Sequence, residues 1–235
     1  MNKSYLIYGI SKGLGKALAL HLPDASDSLF GISRSKPEYL DESPNIQWIQ
    51  ADLAAPLKAS KLVKASIGDT KVDYLIYNVG IWEKAAFTED YSFADSAPEE
   101  INALIQTNVT ACILSIQALL ENLKQSDNAK IILIGSTWGL ENHQGKEVAF
   151  SASKFALRGI VHSLRENLRA HFIGVSILNL GYLDTENPEY EKAKPANEHL
   201  IPIHDVVQAI RFITSSSKYS CIKEIHMPAM LDGNV

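Results

Sequence analysis

Cysteine is scarce in this sequence of 235 residues, which contains only Cys112 and Cys221. Both lie in apolar surroundings, and neither has the spacing of a metal ligand. We therefore expect two buried free thiols and no disulfide and no metal site, as in a reducing cytoplasm.

Long hydrophobic runs and excess basic charge are also absent. No apolar run reaches the roughly 18 residues that a membrane-spanning helix needs. The first residues enter a predicted strand directly, without the pattern of a signal peptide. The net charge of −5 argues against a general nucleic-acid surface. We therefore expect neither a membrane nor a nucleic acid as a partner.

The strongest local signal stands at the beginning of the chain. An apolar run at 5–8 predicts a buried strand, and the glycines Gly9, Gly13 and Gly15 follow at the spacing G-x-x-x-G-x-G. Apolar residues then recur at helical spacing from Leu14. A strand, a glycine turn and a helix together aim backbone N–H groups at a phosphate, so this context favours a dinucleotide site over an ordinary tight turn.

The end of the second predicted strand bears on the type of dinucleotide. The strand at 29–32 ends in Ser33 and Arg34, and no carboxylate follows until Glu38. An acidic residue at this point would bind a ribose 2′-hydroxyl, whereas arginine accommodates a 2′-phosphate. Lys12 in the glycine turn adds a second cation. The pattern favours NADP(H) over NAD(H).

Alternating and helical patterns continue along the chain. Further strands are predicted at 46–49, 72–77, 130–136, 174–179 and 222–227, and helices at 56–67, 99–124, 150–170 and 204–215. In the helix at 56–67, Leu57, Leu62, Val63 and Ile67 are expected to face the core. Asn108 lies on the apolar stripe of the helix at 99–124, where it is either a satisfied buried amide or an active-site asparagine.

Several motifs resemble those of the short-chain dehydrogenase/reductase family. The glycine turn is similar to T-G-x-x-x-G-x-G, with Tyr8 in place of threonine, and Tyr77-Asn78-Val79-Gly80 is similar to N-N-A-G. Further matches are Ser136 at a strand end, Phe150-x-x-x-Lys154 for Y-x-x-x-K, and Gly181–Thr185 for P-G-x-x-x-T. The resemblance covers nearly the whole chain in the right order.

This resemblance implies the fold and the site. It implies an α/β fold in which residues 1–235 form a single Rossmann-like domain, with a doubly wound parallel sheet of about seven strands and helices on both faces. The implied catalytic positions are Asn108, Ser136, Phe150 and Lys154. The implied cofactor contacts are Gly9, Ser11, Lys12, Gly13, Leu14, Gly15, Ser33, Arg34, Asp52, Leu53, Asn78, Val79, Gly80, Lys154, Gly181, Leu183 and Thr185. Asp52 is implied to contact the adenine, although it equally suits the N-cap of a helix that begins at Pro56.

Phe150 departs from the family's pattern at its most informative point. Positions i and i+4 share one helix face, so Lys154 could lower the pKa of a tyrosine at position 150, and that tyrosine would act as general acid. Phenylalanine has no hydroxyl, and general acid–base catalysis typically contributes ~10²- to 10⁴-fold. Ser136, a water held by Asn108, Tyr182 or His143 are the candidate substitutes.

Three interpretations of Phe150 stay open. The chain is a weakened NADP(H)-dependent carbonyl/alcohol oxidoreductase for a small organic substrate, a non-catalytic NADP(H)-binding sensor, or a protein with an introduced Tyr-to-Phe substitution. The resemblance also implies a homodimer or homotetramer that pairs through the helices at 99–124 and 150–170, although helices packed only on their own sheet would show the same amphipathic pattern. It further implies a substrate lid at about 182–203. The aromatic residues within 81–98 either line a substrate cleft or cap the core.

Overall fold

The computed structural model describes residues 2–43, 45–141, 143–185 and 195–233. In these residues the strands are β1 (Ser4–Tyr8), β2 (Ser28–Ser33), β3 (Ile46–Gln50), β4 (Tyr74–Tyr77), β5 (Lys130–Ile134), β6 (Gly174–Leu180), β7 (Leu183–Asp184), β8 (Ile201–Pro202) and β9 (Glu224–Met227). The helices are α1 (Gly13–His21), α2 (Pro56–Ile67), α3 (Pro98–Ile105), α4 (Ala111–Ala118), α5 (Leu120–Lys124), α6 (Val148–Leu168) and α7 (Ile203–Ser215).

Seven parallel strands form one sheet in the order β3-β2-β1-β4-β5-β6-β9. The chain runs outward from β1 to β3, returns, and then continues in the other direction from β4. Ligands of such sheets bind beyond the carboxyl ends of the strands, where the direction of winding changes. This edge lies beside the ends of β1 and β4.

Helices cover both faces of the sheet. Val63 of α2, Cys112 of α4 and Leu157 of α6 pack in one buried cluster, while Leu18 of α1 and Val207 of α7 pack in a second. The central strands are buried along their whole length, as a sheet covered on both faces requires. The predicted doubly wound α/β class is confirmed.

The prediction of one continuous helix over 99–124 is wrong. This region divides into α3, a π-helical turn at Gln106–Thr110, α4 and α5. The π turn has a tertiary partner, because the hydroxyl of Tyr77 on β4 donates a 2.8 Å hydrogen bond to the carbonyl oxygen of Thr107. A second break lies at Leu119, which has non-helical φ and ψ of −109° and 6°.

The burial expected for two leucines of α2 is also wrong. Leu57 is 66% exposed and Leu62 is 38% exposed. The buried row is Ala59, Val63 and Ile67, whose spacing of four residues keeps them on one side of the helix. Leu57 and Leu62 fall outside that row.

The two cysteines differ from one another. Cys112 is a buried free thiol, as expected, and burial raises its pKa far above the ordinary value. The expectation is wrong for Cys221, which is exposed. Cys221 lies in the connection between α7 and β9, outside both core clusters.

The predicted lid at 182–203 is described only in part. β7 and β8 form a parallel pair in which Leu183 lies opposite Ile201. Residues 186–194 fall outside the described residues, so the lid stays a prediction. Among the described helices, none combines the length and the apolar character needed to cross a membrane.

Candidate active site

The glycine turn after β1 packs directly against the end of β4. Gly9 has a positive φ of 83°, and a Cβ added to it would lie 2.1 Å from the carbonyl oxygen of Asn78. A Cβ on Gly15 would lie 1.8 Å from the carbonyl oxygen of Gly9. The Asn78 amide also donates to that oxygen over 3.3 Å. Only glycine fits these two positions, and the first turn of α1 stays free of side chains there.

The Gly181–Thr185 segment meets this turn from the far end of the chain. A Cβ added to Gly13, which has a φ of 53°, would lie 3.3 Å from the Cγ2 atom of Thr185. The backbone N–H of Gly181 donates to Met227 of β9 over 3.1 Å. Leu183 packs against the core cluster of α1 and α7. The structure therefore brings Thr185 and Gly13 together, although they lie 172 positions apart in the sequence.

Lys12 and Arg34 follow the carboxyl ends of the neighbouring strands β1 and β2. The two loops are joined, since the Gly9 N–H donates to the Ile32 carbonyl oxygen over 2.8 Å. Lys12 and Arg34 are both exposed, as is Ser11. Within the described residues, no carboxylate pairs with either cation. Lys12 therefore lies in the glycine turn and Arg34 in the adjoining loop, and neither has an acidic partner among the described residues.

The Ser33 hydroxyl forms hydrogen bonds with residues around the end of β2. Its hydroxyl donates to the Ser35 carbonyl oxygen over 2.8 Å and accepts from the Trp48 indole over 2.9 Å. This bonding fixes the end of β2. Arg34 is the next residue in the chain.

Several predicted cofactor contacts have side chains that point into the protein. Leu14 and Leu53 are buried, and Val79 packs against the core. Only their main-chain atoms can serve a ligand. Asp52 is exposed and accepts a 3.1 Å hydrogen bond from the Ala54 N–H. The interpretation of Asp52 as a helix N-cap is wrong, because the capping position of α2 is Ala55.

Asn108 ties three elements of the site together from the π turn. Its amide oxygen accepts from the Ile81 N–H over 2.9 Å, and its amide nitrogen donates to the Ile81 carbonyl oxygen and to the Ser153 hydroxyl. The side chain is fully buried. Its hydrogen bonds are satisfied within the fold, and they hold the segment after Gly80 against α6.

Ser136 begins the turn that follows β5. Its Oγ accepts from the Trp138 N–H over 3.2 Å, which leaves its own hydroxyl hydrogen available for another acceptor. The turn at Thr137–Gly139 packs on α6, since a Cβ on Gly139 would lie 2.9 Å from the main chain of Lys154. Ser136 is thereby fixed beside the helix that carries Phe150 and Lys154.

Lys154 is buried with its ammonium group at the edge of the sheet. Its Nζ donates to the Ile134 carbonyl oxygen over 3.1 Å and lies 5.4 Å from the centre of the Phe150 ring. A Cβ on Gly80 would lie 3.2 Å from the same Nζ. Burial lowers the pKa of Lys154 to about 8. The ammonium has no carboxylate beside it among the described residues, so it is a charged donor held in a dry environment.

Phe150 is enclosed by aromatic rings. It makes edge contacts with Phe87 at 5.3 Å and with Trp82 at 6.4 Å, measured between ring centres. Among the candidate substitute donors, Tyr182 contacts this cluster through Phe87 at 5.9 Å. Burial raises the pKa of Tyr182, so its hydroxyl keeps its proton at neutral pH.

His143, another candidate substitute, forms hydrogen bonds within its own loop and to α6. Its Nδ1 accepts from the Gly145 N–H over 3.0 Å, so the neutral ring carries its hydrogen on Nε2. That nitrogen lies 3.0 Å from the Ser151 hydroxyl, which donates to Trp138. The imidazole therefore fastens its loop to α6.

Two buried carboxylates near the site were missed by the sequence argument. Glu83 accepts hydrogen bonds from the N–H groups of Ala149 and Phe150, at the N-terminus of α6. Glu147 accepts from the Phe87 N–H and the Trp138 indole. Burial opposes ionisation of Glu147, but these hydrogen bonds prevail and lower its pKa. The only signal in the sequence was an acidic residue on either side of an aromatic stretch.

Comparison with known proteins agrees with the fold and the motifs. The family model described as short chain dehydrogenase matches residues 3–196, so the chain belongs to this family of oxidoreductases. Acetoacetyl-CoA reductase of Rhizobium meliloti is 27% identical over 208 residues, which cover 86% of this chain and 83% of the relative.

Solved structures show the same fold at lower identity. A short chain dehydrogenase from Leptospira borgpetersenii with bound NAD+ has a TM-score of 0.81 at 20% identity and covers 99% of this chain and 93% of its own. A Tyr-to-Phe variant of ElxO with NADPH bound has a TM-score of 0.79 at 20% identity and covers 96% and 97%.

Proposed function

We propose that this chain is an NADP(H)-dependent oxidoreductase that interconverts a carbonyl group and an alcohol on a small organic substrate, at a rate reduced by the missing hydroxyl at Phe150. The observation that carries the proposal is the pair of exposed cations, Lys12 and Arg34, beside the glycine turn. A 2′-phosphate satisfies both charges, and the end of β2 offers no carboxylate for a ribose 2′-hydroxyl.

The residues present suit a dinucleotide. The crowded glycines Gly9 and Gly15 leave the N-terminus of α1 open to a pyrophosphate, where N–H groups and the helix dipole favour negative charge. Thr185 and the main chain of the Gly181–Thr185 segment would hold the nicotinamide end. The Lys154 ammonium would bind the adjoining ribose, since it lies beside Gly80 and donates to one protein acceptor.

Reduction of a carbonyl adds a hydride to carbon and a proton to oxygen. When bound, NADPH supplies the hydride and leaves as NADP+. Ser136 has a free hydroxyl hydrogen with which it orients the carbonyl oxygen. The proton comes from water or from Tyr182, because Phe150 has none to give. Transfer of that proton is the step that we expect to be slow.

The solved structures support a nicotinamide dinucleotide as the cofactor, but they do not distinguish NADP(H) from NAD(H). The ElxO Tyr-to-Phe variant holds NADPH, and the Leptospira dehydrogenase holds NAD+. The decisive experiment is titration of the purified chain with NADPH and with NADH, followed by nicotinamide fluorescence. We expect NADPH to bind at least tenfold more tightly. Equal affinities, or tighter NADH binding, refute the choice of NADP(H).

A non-catalytic NADP(H) sensor is the second candidate. It is favoured by Phe150, which is buried among aromatic rings and offers no donor. A panel of aldehydes and ketones with NADPH separates the two functions. Slow turnover supports the oxidoreductase. Tight NADPH binding with no turnover, both for this chain and for Phe150→Tyr, supports the sensor.

We further propose that copies of the chain pair through α4 and α6, as a homodimer or homotetramer. Each helix keeps an exposed apolar side chain, Ile113 on α4 and Phe155 on α6. Light scattering is expected to give two or four times the chain mass. Ile113→Asp is expected to shift that mass toward the monomer.

A further inference from the structure

Phe87 lies at the centre of a cluster of aromatic rings at the candidate active site. Its ring centre lies 5.8 Å from that of Trp82, 5.5 Å from that of Trp138, 5.3 Å from that of Phe150 and 5.9 Å from that of Tyr182. All four contacts are edge-on, with interplanar angles from 63° to 89°. We call these five residues the aromatic wall.

The backbone of Phe87 is strained. Its φ of 64° lies in the left-handed region, which disfavours every residue that has a Cβ. In the described part of the chain, Phe172 is the one other non-glycine residue with a positive φ. Residues held in such conformations cluster at ligand sites, where the surroundings enforce them. The strain at Phe87 places its ring at the hub of the wall.

Two carboxylates hold this arrangement in place. Glu147 accepts from the Phe87 N–H over 2.9 Å and from the Trp138 indole over 2.6 Å. Glu83 accepts from Ala149 and Phe150 at the start of α6, where a negative charge is favoured. The wall is therefore fixed before any ligand arrives, which lowers the entropic cost of binding.

Part of the wall is open to solvent. Trp82 is 54% exposed and Tyr182 is also exposed, whereas Trp138 and Phe150 are buried behind them. The solvent-exposed parts of Trp82 and Tyr182 are therefore the surface that a ligand can contact. The wall belongs to the same site as the Lys154 ammonium and the Ser136 hydroxyl, because its member Phe150 lies beside Lys154 and its member Trp138 donates its N–H to Ser136.

The segment that carries Phe87 is acidic. The segment 83–100 contains a single basic residue, Lys84. Its carboxylates are Glu83, Glu89, Asp90, Asp95, Glu99 and Glu100. Such a segment repels a substrate that carries several phosphates.

We propose that the substrate is a neutral, planar aromatic aldehyde or ketone whose ring stacks on the aromatic wall, and that thioesters of coenzyme A are excluded. This inference rests on the proposed function for the carbonyl group. The aromatic ring of the substrate is inferred from the wall, and its lack of charge is inferred from the acidic segment. Offset and edge-on ring contacts supply the selectivity for a flat substrate over a saturated one of similar size.

Binding, rather than turnover, tests this substrate class. Calorimetric titrations of the NADPH-saturated chain compare 2-acetonaphthone, its saturated counterpart 2-acetyldecahydronaphthalene and acetoacetyl-CoA. We expect 2-acetonaphthone to bind at least tenfold more tightly than either of the others. Comparable affinity for 2-acetyldecahydronaphthalene, or tighter binding of acetoacetyl-CoA, overturns the proposal.

Variants locate the binding to the wall. Trp82→Ala removes an exposed ring with little threat to the fold, and Phe87→Ala removes the hub. Each is expected to weaken 2-acetonaphthone binding at least tenfold and to leave NADPH binding within twofold. Phe172→Ala is the matched control, because Phe172 has the same left-handed backbone and contacts Tyr219, outside the wall. Unchanged affinity in Trp82→Ala and Phe87→Ala overturns the proposal.

The two proposals fail in different ways. Tight NADPH binding without 2-acetonaphthone binding refutes the aromatic substrate and leaves the oxidoreductase standing. Binding of 2-acetonaphthone to a chain that binds no dinucleotide refutes the oxidoreductase, and with it the role of this ketone as a substrate.

Discussion

The Lys154 ammonium lies 5.4 Å from the centre of the Phe150 ring, one helical turn away on α6. The lysine is buried, and its Nζ donates to the carbonyl oxygen of Ile134 at the end of β5. A charged donor is therefore in place, while the neighbouring ring has no hydroxyl whose pKa it can lower.

Phe150→Tyr is expected to raise the rate of carbonyl reduction about 10²- to 10⁴-fold, the usual contribution of a positioned general acid. The added hydroxyl lies on the Lys154 side of α6, where the ammonium favours its ionised form. The measurement is kcat for NADPH oxidation with one ketone. Phe212→Tyr adds the same hydroxyl on the exposed face of α7 and should change nothing. Equal rates for Phe150→Tyr and the unmodified chain would show that another group already supplies the proton.

Arg34→Ala is expected to weaken NADPH binding about 10- to 100-fold, since a charged hydrogen bond contributes roughly 1.5–3 kcal/mol. NADH has no 2′-phosphate, so its affinity should stay within twofold. Fluorescence titrations at one fixed ionic strength measure both. Lys36→Ala, in the same loop but paired with Asp41, serves as the control. Parallel losses for NADPH and NADH would place Arg34 outside the phosphate site.

The buried ammonium of Lys154 makes stability depend on pH in a defined direction. The pKa of Lys154 is about 8 in the folded chain, whereas a lysine that is not buried has a pKa of 10.5. Between these values the unfolded chain binds more protons, so the free energy of unfolding rises with pH. Lys154→Met removes this dependence. The unmodified chain should gain about 3 kcal/mol relative to Lys154→Met between pH 8 and pH 10.5.

Urea unfolding of both chains at several pH values across this window measures the difference. Lys61→Met, at an exposed position on α2, is the control and should follow the unmodified chain. Curves for Lys154→Met and the unmodified chain that run parallel across the window would contradict a buried ammonium.

Local patterns predicted the sheet well, because each central strand is a short apolar run bounded by turn residues. The predicted helix at 56–67 matches α2 in both bounds. Its inward face was only partly predicted, since apolar residues alone do not tell which side meets the sheet. Val63 is buried, while Leu57 and Leu62 face outward.

Tertiary pairing explains what the sequence could not reveal. Tyr8 and Tyr77 each depart from the family's motifs, and they turn out to be register partners on β1 and β4 with ring centres 5.3 Å apart. The Tyr77 hydroxyl then reaches the π turn at Thr107. A contact between residues that are far apart in the sequence, such as Tyr8 and Tyr77, cannot be predicted from local periodicity. The burial of Glu83 is equally hidden, because its partners are the N–H groups that begin α6.

The structural and the catalytic interpretations of Asn108 are separable, because the fold contains a matched asparagine. Asn122 on α5 is also fully buried, and its side chain bonds Gly68, Thr70 and Lys64. Replacing either asparagine by alanine leaves buried partners unsatisfied, and each change is expected to cost about 2–4 kcal/mol of unfolding free energy.

Only Asn108→Ala is expected to lower the rate of NADPH oxidation, by at least tenfold at a temperature where both variants are folded. Asn108 joins Ile81 to Ser153, the neighbours of Gly80 and Lys154, so its loss frees the ammonium that the site depends on. Urea unfolding and kcat, measured on both variants, separate the two effects. Equal activity in Asn108→Ala and Asn122→Ala would reduce Asn108 to a buried amide that serves the fold alone.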